Sequence, residues 1–99
     1  MALIRWSPRT AVDLENICEY VAKDSEHYAR VLAQGIMETV ETLGDFPLSG
    51  RVVPEYNVRE LRERIFQNFR IVYRLRSKDN TETVEIVAIC HGAMLLPKL

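Results

Sequence analysis

Arg70, Arg74 and Arg76 lie four and six positions apart on one predicted strand. Even spacing on a pleated strand places all three on the same face. Guanidinium groups gathered in this way grip phosphate or carboxylate with paired N–H bonds, which an ammonium cannot do. Arg51, Arg59 and Arg62 precede them and extend the basic region. Glu60, Glu63 and Glu85 are the carboxylates that would otherwise sit opposite and neutralise such a face. The chemistry on offer is recognition of an anion. His91 stands at the end of the last predicted strand. The plainer reading of His91 is a strand-end residue with hydrogen-bonding duties.

The distribution of charge sharpens this picture. The whole chain of 99 residues carries a net charge of −1. Residues 11–46 hold two basic and eight acidic residues, a balance of −6, whereas residues 51–78 hold eight basic and three acidic residues, a balance of +5. Seven of those eight basic residues are arginines. An asymmetry of this size implies an anionic partner for the second half, or salt bridges between the halves.

The elements that must position these residues follow from periodicity. Residues 2–6 read as a short strand. Ser7-Pro8 is a helix start, with the hydroxyl as cap and proline at the first helical position. A helix is predicted from Pro8 to about Lys23, with Ala11, Leu14, Ile17, Cys18 and Val21 on its buried face. After the break at Asp24-Ser25 a second helix runs from about Glu26 to Leu43, with Tyr28, Leu32, Ile36, Val40 and Leu43 as its stripe. Gly35 allows close approach of a neighbour, and Gly44 is expected to end the helix in the left-handed region. Residues 46–57 read as a loop, punctuated by Pro47, Gly50 and Pro54. Three strands follow, at 58–65, 69–76 and 82–90, and an apolar tail at 93–99. The order β-α-α-β-β-β predicts an α+β fold in which a helical hairpin packs on one face of a mainly antiparallel four-stranded sheet. The other face, carrying the arginines, is expected to be open.

A single domain over residues 1–99 fits this length. Trp6 and Tyr73 are assigned to the core, His27 to solvent, and Cys18 and Cys90 to buried free thiols. No apolar run approaches the ~20 residues of a membrane span. Residues 1–6 are too short and too soon charged for a signal peptide, so a cytoplasmic, reduced protein is expected. No cofactor and no metal site is expected.

Several stretches carry a resemblance: Ile4-Arg5-Trp6-Ser7-Pro8 leading into an acidic helix; Phe46-Pro47-Leu48-Ser49-Gly50-Arg51 followed by Pro54-Glu55; Val58-Arg59-Glu60-Leu61; Phe69-Arg70-Ile71-Val72-Tyr73-Arg74; and Val84 through Gly92. In this order and spacing the chain resembles the ParE/RelE toxin superfamily of bacterial type II toxin–antitoxin systems, closer to its ParE branch. The resemblance implies a toxin neutralised by a cognate antitoxin, usually a ribbon-helix-helix DNA-binding dimer with a flexible C-terminal segment. DNA contact would come only through that antitoxin. ParE-like members inhibit DNA gyrase by binding. RelE-like members cleave mRNA on the ribosome without a metal, and in that alternative Arg70, Arg74 and His91 would be catalytic, with Glu55 a conceivable base. The chain lacks the lysine cluster and C-terminal tyrosine of the nucleases. It has Ala93-Met94 where both branches commonly place an arginine, which also motivates a non-toxic, antitoxin-binding relative as a second alternative. Val31, Met37, Leu95 and Leu96 are the apolar residues expected to meet the antitoxin, whose flexible segment is expected to cross the helical hairpin and extend the sheet by strand addition.

Overall fold

The computed structural model describes residues 1–92 and 96–99. The elements run β1 (Leu3–Trp6), α1 (Pro8–Ala22), α2 (Glu26–Asp45), β2 (Arg51–Val52), β3 (Leu61–Phe66), β4 (Phe69–Lys78) and β5 (Thr81–His91). They form an α+β fold with one sheet of five strands in the order β1-β5-β4-β3-β2. The sheet is mixed, not the four-stranded one expected. The added strand, β2, lies in the segment read as loop and pairs antiparallel with β3 through Arg51↔Glu63 and Val52↔Arg62. Two residues are too few to show alternation, and Pro54 follows directly. β1 pairs parallel with β5, Leu3 opposite Thr83 through Trp6 opposite Ile86. Alternation reports which face a residue takes, not the direction of the strand beside it.

Both helices start as their sequences dictate. Ser7 Oγ accepts from Thr10 N at 3.2 Å, and Ser25 Oγ accepts from Tyr28 N at 3.0 Å. α1 is then tied to β5 at and beyond the point where β1 ends. Thr10 Oγ1 donates to Ile86 O at 2.8 Å, and Ile89 N donates to Asp13 Oδ2 at 3.2 Å. The helical hairpin covers one face. Leu32, Ile36, Val40 and Leu43 pack against Ile71, Tyr73, Val84, Ile86 and Ile89, with Leu14, Ile17 and Val21 of α1 beside them. Ala11 and Tyr28, assigned to these stripes, are exposed. Trp6 is half-buried against this core and Tyr73 lies fully inside it.

The glycines differ in role. A Cβ at Gly35 would overlap the Phe66 ring, so this glycine is the close approach anticipated on α2. Gly44 does not end its helix. It is helical and buried, its φ is not positive, and its carbonyl accepts from Ala2 N at 2.8 Å. The chain therefore uses Gly44 for proximity to β1 and not for a left-handed turn.

The expectation of an open second face is corrected. A second apolar cluster of Val53, Leu61, Val72 and Ala88 lies there, with Val87, Leu96 and Leu99 packed against it. Val53 from the loop and Leu96 and Leu99 from the tail form this cover, and the two segments are joined where Leu99 N donates to Tyr56 Oη at 3.2 Å. A bulge in the β4–β5 ladder makes the arrangement possible: Val72 faces Ala88 while Tyr73 faces Ile86, leaving Val87 as the extra residue of β5.

Tyr73 ties the loop at 47–50 to the core. Its hydroxyl donates to Pro47 O at 2.7 Å and accepts from Gly50 N at 2.9 Å. Burial pushes its pKa up, so the phenol remains a donor. Tyr73→Phe would leave both backbone groups without this partner and should destabilise the chain by about 1–3 kcal/mol in urea denaturation. An unchanged urea midpoint would show that the loop does not depend on the hydroxyl.

Candidate functional site

Glu63 is the centre of the charged layer. Its place in β3 sets it opposite Val72 of β4 and Arg51 of β2 on the second face. The side chain is 0% exposed. A carboxylate so buried must be paired, and two arginines do this. Arg51 Nε donates to Oε2 at 2.6 Å, and Arg70 Nε donates to Oε1 at 2.6 Å. The outer edge of the Arg70 fork is also occupied. Its Nη1 donates to Glu55 Oε2 at 2.7 Å and its Nη2 to Glu55 Oε1 at 2.8 Å. The four side chains, two cations and two anions, sum to zero charge.

The electrostatics follow from these contacts. The hydrogen bonds from Arg70, aided by Glu55's own backbone N–H, hold the Glu55 carboxyl down at about 2. The Arg70 pKa is raised, first by the hydrogen bond to Glu55 and then by Glu63, against the opposing effect of burial. Glu55 is the accessible member: its side chain is 45% exposed, against 9% for Arg70. Among the described residues no buried side-chain nitrogen or oxygen lacks a hydrogen bond.

The remaining arginines divide between the two faces. Arg74 and Arg76 share the Arg70 face, as their spacing requires. Arg76 Nε pairs with Glu85 Oε1 at 3.3 Å. Arg74 lies opposite Glu85 across the β4–β5 ladder, and Arg5 of β1 lies opposite Glu85 on its other side. Arg5, Glu85 and Arg74 thus form one row across three strands. Among the described residues the side chains of Arg5, Arg59 and Arg74 have no hydrogen-bond or ion-pair partner. Sequence reasoning passed over Arg5 because only the parallel β1–β5 register brings it here. Arg62 is on the other face, opposite Tyr73, and clamps the loop by donating to Gly50 O at 2.9 Å and Arg59 O at 3.0 Å.

His91 is adjacent to Arg70 in the ladder but on the opposite face. It pairs with Phe69, and the two rings meet edge to face at 5.5 Å. Arg70 and Arg74 are therefore not gathered with His91 around one point. His91 borders a groove of about 750 Å³ beneath α1, which Asp13, Asn16, Tyr20 and Phe69 also line. Cys18 and Cys90 are free thiols and only half-buried, with pKa values pushed up by burial.

A second groove, of about 460 Å³, runs between the helices and is lined almost wholly by apolar side chains: Trp6, Leu14, Cys18, Ala33 and Met37, with Ala11 at its mouth. Met37 and Val31 are each 42% exposed on α2. Leu96 is on the other side of the sheet, packed against the second cluster. Leu95, with Ala93 and Met94, falls outside the described residues.

Residues 4–96 match the family described as "ParE toxin of type II toxin-antitoxin system, parDE". The chain belongs to the ParE toxin family. Among solved structures, a chain of the "Chromosomal ParDE TA system from P. aeruginosa" superposes with a TM-score of 0.72 at 24% identity, over 92% of this chain and 96% of that one. That likeness shows the shared fold. No curated protein matches. Among the described residues no group of His, Cys, Asp or Glu is placed to hold a metal ion, and no helix is long and apolar enough to cross a membrane.

Within this ParE fold the Glu63 cluster makes two measurable demands. Glu63→Ala would leave Arg51 and the Nε edge of Arg70 unpaired and should cost about 3–5 kcal/mol in urea denaturation. A loss below about 1 kcal/mol would show that the arginines repartner. The second demand concerns acid. Glu55 titrates near 4.5 when free and about 2 in the fold, so the unfolded chain binds more protons between those values. Its contribution is therefore complete above about pH 4.5 and lost as pH falls towards about 2. Glu55→Gln should flatten the pH dependence of the urea midpoint within that window, and parallel profiles for the two proteins would exclude the assignment.

Proposed function

We propose that this chain is the toxin of a type II toxin–antitoxin pair, that it inhibits DNA gyrase by binding, and that a cognate antitoxin neutralises it. The family match over residues 4–96 supports the toxin reading. The side-chain arrangement favours binding over cleavage. Transfer of a phosphate needs a base, an acid and a cation converging on one point. Here Arg70 is saturated by two carboxylates and His91 is on the opposite face. Among the described residues, Arg5, Arg59 and Arg74 are guanidiniums without a side-chain partner that a target could engage, with Arg76 next to Arg74 on the same face. As one domain, the whole of residues 1–99 would act as a unit in the cytoplasm.

The apolar groove between the helices is the surface offered to the antitoxin. It sits in a hairpin of strongly acidic composition, so its occupant presents apolar side chains flanked by basic ones. Strand addition has an available edge. β2 covers β3 only at Glu63 and Arg62, leaving the outer edge of Arg64–Phe66 for an incoming strand.

Supercoiling by purified gyrase tests the reading. Equimolar toxin should block supercoiling, and Arg5→Ala with Arg74→Ala should weaken inhibition about tenfold or more, as expected for lost charge-assisted contacts. Normal supercoiling at large toxin excess would overturn gyrase as the target. Codon-positioned cuts in translated mRNA would overturn binding as the mode of action.

A further inference from the structure

We propose that the outer edge of the Arg70 guanidinium is an oxyanion-binding site, that Glu55 masks it from within, and that a partner's carboxylate or phosphate displaces Glu55 to bind there. The two edges of the Arg70 fork are held differently. The inner edge is fixed by Glu63, which has no exposure and is locked on its other oxygen by Arg51. The guanidinium plane is therefore set in advance, and little rotamer freedom remains to be lost on binding. The outer edge presents Nη1 and Nη2 side by side, and two oxygens of one carboxylate fill it at 2.7 and 2.8 Å. That is the geometry of bidentate oxyanion recognition.

The occupant differs in kind from Glu63. Glu55 belongs to a turn in which residues 54–60 are all exposed. The turn is anchored at its base by Val53, whose N–H donates to Leu61 O at 3.0 Å and whose carbonyl accepts from Asn57 N at 2.8 Å. Val53 itself is 0% exposed. The anchor leaves the Glu55 side chain free to swing away by rotation alone, without unpairing any strand. With Glu55 withdrawn, the remaining charges of Arg51, Arg70 and Glu63 sum to +1, and the attraction for an external anion appears at that moment. An internal ligand on a short tether competes as a roughly millimolar effective concentration of carboxylate. A partner must therefore bring its oxyanion on a surface already docked nearby. Free ions in solution remain excluded, which protects a buried cation from adventitious anions.

This concerns the chemistry of the site and does not depend on gyrase being the target. The test reads Arg70 directly through its guanidinium ¹⁵N–¹H resonances. Glutarate and inorganic phosphate are titrated separately into the wild-type chain and into Glu55→Gln, which retains the shape of the side chain but loses the charge. Saturable shifts of the Arg70 signals are expected in Glu55→Gln with at least one ion, with apparent affinity about tenfold or more above wild type. The tighter ion identifies the partner's group as carboxylate or phosphate. Glu55→Ala should behave as Glu55→Gln, and Arg70→Lys placed on Glu55→Gln should abolish the saturable shifts that the same titration produces in the backbone amide signals of residues 51, 55 and 63. Absence of a saturable shift in both Glu55 variants, each shown folded by its dispersed spectrum, would overturn the proposal. Equal responses of wild type and Glu55→Gln would overturn the masking.

Discussion

A carboxylate without exposure, set in the middle of a sheet, constrains everything around it. Glu63 cannot be solvated where β3 places it, so Arg51 must come from β2 and Arg70 from β4 to meet it. These two contacts join three neighbouring strands by charge as well as by backbone bonds. They also explain why so short a strand as β2 persists at the edge. A buried ion cluster of this kind specifies register: sliding β3 by one residue would bring Arg62 or Arg64 into the same layer and set like charges against each other.

Much of the architecture could be read from residue patterns, and the failures have definite causes. The helices were legible because Ser7 and Ser25 cap them and apolar residues recur at three- and four-residue steps. β4 was legible because Phe69, Ile71, Tyr73 and Leu75 alternate with Arg70, Val72, Arg74 and Arg76. The covered second face was not. Val53, Leu61 and Leu96 are far apart in the chain, and only the bulge at Val87 brings Ala88 round to join them. The glycine at position 44 misled for a related reason: glycine serves both left-handed turns and tight packing, and only the neighbouring β1 decides between them.

The arginines show the same limit more sharply. Their number and their bias to one half of the chain were plain. Which of them remain available was not, since availability depends on the partner that folding supplies. Arg70, the most conspicuous by sequence, has every nitrogen engaged. Arg5 drew no attention and lies beside Glu85 in a row with Arg74. Arg62 takes the other face because it directly follows Leu61, and parity governs everything on a strand. Charge composition thus gives the number of cations and their place in the chain, while pairing partners decide which of them remain available.

The apolar groove of the helical hairpin and the guanidinium row lie on opposite sides of the sheet, so neither obstructs the other. The neighbourhood of β1 and β5 has a different outcome. Among the described residues β1 has β5 alone as its neighbour in the sheet. During synthesis β1 therefore waits, without its strand partner, until β5 has left the ribosome. Helices of local sequence can form early, but the sheet closes only at the finish. A chain that lacks β5 has no strand against which to order β1, so ordering of the first strand and completion of the sheet come together.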